Sequence, residues 1–499
     1  MLLLWFRANL GEGPQPMSVQ YFLQGKLLGI ETFLLSALPS DGAGTDEIFA
    51  GRCHWVTLLA EVLPRALLAE LGLARILLGT SGGGQFLVVL PEEAKAQADG
   101  FLTAAAAQIA AMSAGHLKLI WAGTENLGDW TDVRKRIAEN MAVRTAGEGA
   151  AADVFEPYLD RAAEASDEYF AGEMFRAVRD AASVGWSPEQ PARLVCHGGK
   201  HVWPLTGGFD GITFARHTVL DDEGGAPAGT PLLAARSEGR PLWGVLRGDV
   251  DNFGIRLRRA QSVEEHIQLS LTFKQFFAGE LEVMLSLPDY WRKVTVLYSG
   301  GDDFAVYGSW DALIPLAREI QRVFHRLAEE TMKEFPGPEG KTISMALAVA
   351  TPGQADLAAV YEDATQKLEI AKSSTKDAFH LLGRTLEWKA VGDAAEMKDI
   401  MVRMVRQFQC PPQFVQELGS FYRETAQPLR NSRTRGNRFE RPWRFHRRLN
   451  RVLGPNKDRE LQKLRTTLTA EFIGRNAAQA RLRPAGRVAL EWASLLTEA

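Results

Sequence analysis

Asp302 and Asp303 stand side by side within Tyr298–Tyr307, which reads Y-S-G-G-D-D-F-A-V-Y. Adjacent carboxylates repel unless a cation lies between them, and a hard divalent ion with oxygen ligands is the natural partner. Upstream, Leu242–Gly254 reads L-W-G-V-L-R-G-D-V-D-N-F-G and adds Asp249 and Asp251. Residues two apart on a strand share a face, so this pair is expected to point the same way. If the two stretches lie side by side, the carboxylates form one cluster. Such a cluster holds two Mg2+ or Mn2+ ions against nucleotide phosphates, lowers the pKa of an attacking hydroxyl and neutralises the leaving pyrophosphate. The constellation reads as a nucleotidyltransferase or cyclase palm, with Asp249, Asp302 and Asp303 as catalytic metal ligands and Asp251 as a further ligand. A lone G-G-D-D is a common turn; the pairing and spacing of the two stretches carry the assignment.

The elements that must position these groups follow from the apolar pattern. Val294, Val296 and Leu297 lead into the acidic pair and Phe304, Val306 and Tyr307 lead out, predicting two short strands joined by a tight turn. Gly300 and Gly301 are expected to supply unusual backbone angles there and, with Ser299, to let the backbone approach phosphates. After the Asp249 strand come a helix over 262–285, the hairpin, a helix from 311 to 334 stopped by Pro336-Gly337-Pro338, a strand over 341–350, a helix over 355–373 and a strand over 378–382. This βαββαβ order is the ferredoxin-like split arrangement, which can place both carboxylate-bearing strands at its centre. Lys372 and Lys376, flanking S-S-T, are candidates to contact a triphosphate, or are ordinary helix-end lysines. Phe253 is either a platform beneath a base or ribose or a core residue.

An earlier copy of the frame is visible. Arg75–Pro91 reads R-I-L-L-G-T-S-G-G-G-Q-F-L-V-V-L-P, with Gly84 and Gln85 where Asp302 and Asp303 stand later. Gln24–Phe33 matches the Asp249 strand, with Lys26 at the first aspartate. Lysine, glycine and glutamine cannot hold two divalent cations. The first copy therefore reads as structural, or as a nucleotide-binding surface without chemistry.

The chain has 499 residues, 46% hydrophobic and 24% charged, with a formal charge of −4, enough for several domains of an ordinary soluble class. Cys53, Cys196 and Cys410 are too few for a disulfide framework, and no apolar run is long enough for a signal peptide or membrane span, so a cytoplasmic location is expected. Cys196, His197 and His201 invite zinc, but three ligands without a fourth or a C-x-x-C pair favour a metal-free connector. From Arg430 to Arg465 thirteen Lys or Arg face three acids, with Phe439, Trp443, Phe445 and His446 interleaved. A basic stretch with aromatics suits RNA; Arg433, Arg435, Arg438, Arg441, Arg444, Arg447, Arg448 and Arg451 are its candidates. A solvated helix face pairing with acidic neighbours is the alternative. The expected segments are a degenerate first palm over 1–150, a helical and loop-rich connector over 151–240, a second palm over 241–390 and a basic helical domain over 391–499, an α+β architecture.

L-R-G-D-V-D-N-F-G, Y-S-G-G-D-D-F, the degenerate first copy and L-L-G-R-T-L-E-W-K at 381–389 together resemble the large palm-domain subunit of type III CRISPR effector complexes, the Csm/Cmr type. The resemblance implies two palms, and a second palm that converts ATP into cyclic oligoadenylates when the complex binds target RNA. It also implies guide RNA and further effector subunits as partners. It carries over Asp249, Gly300, Gly301, Asp302 and Asp303, with Asp251 less firmly. Two family features are missing: none of the nine His is followed by Asp, so no HD-type nuclease is expected, and Cys196 cannot supply the four-Cys zinc site often found between the palms. A catalytically silent RNA scaffold and a stand-alone nucleotide cyclase related to the G-G-D-E-F enzymes remain as alternatives.

Overall fold

A computed structural model describes residues 19–36, 38, 44–148, 164–206, 210–374, 376–426, 442–454, 458–473 and 484–497. The chain divides into two compact units, one built from residues up to 38, 47–214 and 257–275, the other from 39–46, 215–256 and 276 onward.

In the first unit, β1 (Gln20–Leu28) is followed by α1 (Thr45–Glu70), β2 (Leu78–Gly82), β3 (Gln85–Pro91), α2 (Lys95–Met112) and β4 (Lys118–Glu125). The sheet order β2-β3-β1-β4 is antiparallel throughout. A ferredoxin-like βαββαβ unit gives this order because its first and third strands pair at the centre. β1 is shorter at its end than the pattern implied: Gly29 takes φ 79°, and Ile30–Leu35 is helical. α3 (Trp130–Glu148) covers the Phe22, Leu87 and Ile120 face with Trp130, Val133, Ile137 and Met141. Helical residues 164–180, a strand pair, β5 (Ser183–Trp186) and β6 (His201–Pro204), and α4 (Val263–Lys274) also belong to the unit. Cys196 Sγ donates to the Glu173 carbonyl at 3.5 Å, and His201 pairs with Glu70 at 2.6 Å.

In the second unit, β7 (Trp243–Val250) leads to helical residues 276–285, the hairpin β8 (Val294–Ser299) and β9 (Asp303–Ser309), α5 (Trp310–Thr331) and β10 (Ile343–Val349). Next come α6 (Leu357–Ser374), β11 (Ala378–Leu381) and β12 (Arg384–Glu387). The sheet order is β12-β11-β10-β7-β9-β8. Its last four positions repeat the arrangement of the first sheet, and β10 and β11 are parallel, joined through α6 as a crossover requires. Phe304 stacks on Phe277, which packs with Phe324 of α5, so one sheet face is sealed by aromatics. Beyond the sheet come α7 (Trp388–Arg406), α8 (Gln413–Ala426), α9 (Pro442–Leu453), α10 (Arg459–Ile473) and α11 (Pro484–Thr497). Among the described residues no helix is long and apolar enough to cross a membrane.

The two sheets agree residue by residue. Gly25 opposes Phe86 and Lys26 opposes Gln85 in one; Gly248 opposes Phe304 and Asp249 opposes Asp303 in the other. A Cβ on Gly25 would lie 2.2 Å from the Phe86 ring, and one on Gly248 2.3 Å from that of Phe304. Each glycine thus clears the space that the opposing ring fills.

Candidate active site

β7 and β9 are antiparallel neighbours whose register sets Asp249 opposite Asp303. Directly opposed residues of such a pair project to one face. Asp302 precedes β9 at the tip of the turn, and its carbonyl accepts from the Val250 N–H at 2.9 Å, tying the turn to the end of β7. The strand order therefore sets Asp249 and Asp303 opposite each other, with Asp302 at the adjoining tip, from two distant stretches of sequence.

Their electrostatics show the cost. The Asp302 carboxyl is pushed far above the usual carboxylate range, first by burial and then by the charges of Asp303 and Asp249. Burial also raises Asp249, to about 6; Lys372 opposes the rise, and Asp303 and Asp251 add to it. Lys372 Nζ lies 3.0 Å from Asp249 Oδ1. Burial alone would lower the pKa of that lysine, and Asp249 raises it past its ordinary value. The turn is a place short of positive charge.

As they stand, no three His, Cys, Asp or Glu side chains among the described residues converge closely enough to hold a metal ion. The donor set still fits a hard divalent cation. It is oxygen-only, its members raise one another's affinity for positive charge, and one of them already holds an ammonium group.

Other expected residues fall differently. Asp251 lies past the end of β7, is 1% exposed, and accepts from Ser344 Oγ at 2.8 Å, Thr342 Oγ1 at 2.8 Å and the Asp377 N–H at 2.9 Å. Its oxygens are engaged in holding the start of β10 and the Lys376 turn, which gives it a structural role apart from the Asp249–Asp303 pair. Ser299 has its buried hydroxyl turned inward, donating to the Phe277 carbonyl. Gly300 and Gly301 do not adopt the left-handed angles expected of them. A Cβ on Gly301 would meet nothing within 4 Å, so that glycine leaves an open surface at the turn. Phe253 is 6% exposed and belongs to the core, not to a base platform. Lys376, at φ 55°, donates to Asn252 Oδ1, itself at φ 59°. Arg444, Arg447, Arg448 and Arg451 lie on α9, where Arg447 and Arg451 are exposed; Arg433, Arg435, Arg438 and Arg441 lie outside the described residues.

Sequence reasoning missed Arg247 and Tyr298. Arg247 is 7% exposed and donates to the Tyr298 hydroxyl at 2.8 Å, and that hydroxyl donates to Asp303 Oδ2 at 3.1 Å. Burial pushes the Tyr298 phenol well above its ordinary value against the opposing pull of Arg247, so it remains a hydroxyl at neutral pH. The available signal was an arginine inside an apolar strand, a charge that must find buried partners.

Comparison with known proteins bears on this site directly. Residues 242–380 match the family described as Cas10/Cmr2, second palm domain. The "CRISPR system single-strand-specific deoxyribonuclease Cas10/Csm1 (subtype III-A)" of Enterococcus italicus is 34% identical over 98 residues, which is 19% of this chain and 12% of that protein. The protein of the same description from Thermococcus onnurineus is 30% identical over 119 residues, 21% of this chain and 15% of that one. These alignments thus span less than a sixth of the relatives' length. In fold, the Csm1 chain of a Csm1–Csm4 cassette crystallised with cA4 superposes with a TM-score of 0.70 at 17% identity, covering 99% of this chain and 72% of that one. Residues 242–380 thus match the Cas10/Cmr2 second palm, and the chain as a whole shares its fold with Csm1.

Proposed function

We propose that the chain is a nucleotidyltransferase that joins ATP molecules into cyclic oligoadenylates within a type III CRISPR effector complex, switched on by target RNA. The observation that carries the reading is the register pair Asp249–Asp303 with Asp302 at the adjoining tip, inside a stretch matching a Cas10/Cmr2 second palm. The cA4 bound in the Csm1–Csm4 neighbour supports the nucleotide chemistry, as a property of that protein.

In this reading Asp249, Asp302 and Asp303 hold two Mg2+ or Mn2+ ions. When bound, they lower the pKa of the attacking 3′-hydroxyl and neutralise charge on the α-phosphate and the leaving pyrophosphate. Lys372, beside Asp249, supplies a fixed positive charge within reach of a triphosphate held there. The open surface at Gly301 lets phosphates approach the turn. Lys26 and Gln85, at the matching positions of the first sheet, cannot assemble such a cluster, which leaves one chemical site. The exposed Arg447 and Arg451 of α9 are assigned to RNA contact, and the four-segment division given above is kept as part of the proposal.

The test is to purify the protein with whatever associates with it and add Mg2+ or Mn2+, labelled ATP and RNA complementary to any copurified guide, then separate the products. RNA-dependent cyclic oligoadenylates, lost in Asp302→Ala/Asp303→Ala while RNA binding persists, are expected. Unchanged synthesis in the double variant overturns the site. A guide-bound complex that makes no product from any nucleotide overturns the activity in favour of a scaffold.

A further inference from the structure

Asp303 is the end of a chain of hydrogen bonds that starts on α6 and passes through β7 and β8. The Thr365 hydroxyl donates to the Tyr361 carbonyl at 3.0 Å, which leaves its oxygen to accept from Arg247 Nη1. A guanidinium has donors only. Its other arm, Nη2, therefore uses a lone pair of the Tyr298 oxygen at 2.8 Å. That phenol donates in turn to Asp303 Oδ2 at 3.1 Å, with the Tyr361 side chain as a further hydrogen-bonding neighbour. The guanidinium is also held over the Tyr361 ring, 4.5 Å from its centroid, and lies 5.8 Å from the centroid of the Tyr298 ring. Helix α6, strand β7 and strand β8 thus each contribute one link to the placement of a carboxylate on β9.

From this geometry we infer that Arg247, Tyr298 and Thr365 are positioning residues that set the rotation of the Asp303 carboxylate for cation binding. The inference rests on the reading of Asp249, Asp302 and Asp303 as metal ligands. The same helix carries Lys372, whose ammonium group meets Asp249, so α6 addresses both carboxylates of the register pair. Groups that orient a metal-binding carboxylate through a hydrogen bond change metal affinity when removed, typically by about 10- to 100-fold. The isolated effect of Tyr298 is open to measurement because Phe retains the ring and removes only the donor.

The test is a thermal-shift titration of the full chain with Mn2+ alone, on the native protein, Tyr298→Phe, Thr365→Val and Asp303→Asn. The native protein is expected to show saturable stabilisation, and Asp303→Asn to lose it. Tyr298→Phe is expected to need roughly tenfold more Mn2+ for half-saturation, and Thr365→Val, which touches neither Tyr298 nor Asp303, to shift in the same direction. In product assays Tyr298→Phe should lower kcat with little change in the KM for ATP. A merely structural role would lower the melting temperature without moving the Mn2+ midpoint, and that result overturns the relay while leaving the metal reading intact. No Mn2+ effect on the native protein overturns both. If Tyr298→Phe does not fold, the Thr365→Val midpoint decides.

Discussion

Replacing Asp302 by Asn should stabilise the cation-free protein at alkaline pH and leave it unchanged in acid. A carboxyl whose pKa is higher folded than unfolded holds its proton more tightly in the folded state. Its favourable contribution is present below the unfolded pKa and is lost as pH rises through the folded one. For Asp249 that window runs from 3.8 to about 6. At ~1.36 kcal/mol per pH unit, its rise corresponds to about 3 kcal/mol of destabilisation once the pH is above the window. Asp302 is displaced in the same direction by burial, Asp303 and Asp249, so removing its charge is expected to bring a gain of the same order, about 3 kcal/mol. Asn keeps the shape of the side chain and cannot ionise. The assay is urea unfolding in EDTA at several pH values, following tryptophan fluorescence, since Trp243 and Trp310 lie on or beside the carboxylate-bearing strands. The variant should exceed the native protein at pH 8, and the gap should close towards pH 4. Saturating Mg2+ should narrow it at pH 8 by stabilising the native protein more. A gap that is constant with pH, or a native protein that is the more stable at pH 8, would refute the reasoning.

Two further perturbations probe the frame. Gly248→Ala places a methyl group 2.3 Å from the Phe304 ring and Gly25→Ala one 2.2 Å from that of Phe86, so each should lower stability by about 1–3 kcal/mol in chemical denaturation. Equal tolerance of both would show that the glycine–phenylalanine pairing does not define the sheets. In the first unit, Glu61 is 3% exposed and accepts from Arg65, Ser81 and Lys274. Burial opposes its ionisation, but Lys274 and then Arg65 hold its pKa down to about 2. Its stabilising contribution is therefore present above its ordinary value of 4.5 and fades as pH falls towards 2. Glu61→Gln, which leaves two buried cations without a counter-charge, should cost about 3–5 kcal/mol at pH 7 and less in acid, read as the pH dependence of the denaturation midpoint.

Much of this architecture was readable because strands and helices differ in apolar period. The runs around Leu246, Val296 and Val306, and the charged–apolar alternation of α5 and α6, predict their elements to within a few residues. α1 escaped because it is buried on nearly every side, including Arg52, His54, Glu61 and Arg65, so it carries no polar stripe to set its period. β12 escaped because only Leu386 of its four residues is buried, and an edge strand this short has too little alternation to detect.

The sequence by itself determined the chemical inventory: the acids of the second copy, the lysine, glycine and glutamine that replace them in the first, and the glycine–phenylalanine frame common to both. Residue type and spacing suffice for that, since they need no knowledge of what lies opposite. Only the tertiary structure decided which carboxylates lie opposite one another. Asp249 and Asp251 are near neighbours in the chain, yet register pairs Asp249 with Asp303, while three donors from β10 and the Lys376 turn claim Asp251. Ser299 and Tyr298 are adjacent, yet one hydroxyl faces the Phe277 carbonyl and the other faces Asp303. Successive strand side chains point to opposite faces, so which of two neighbours reaches the site is settled by what each face packs against.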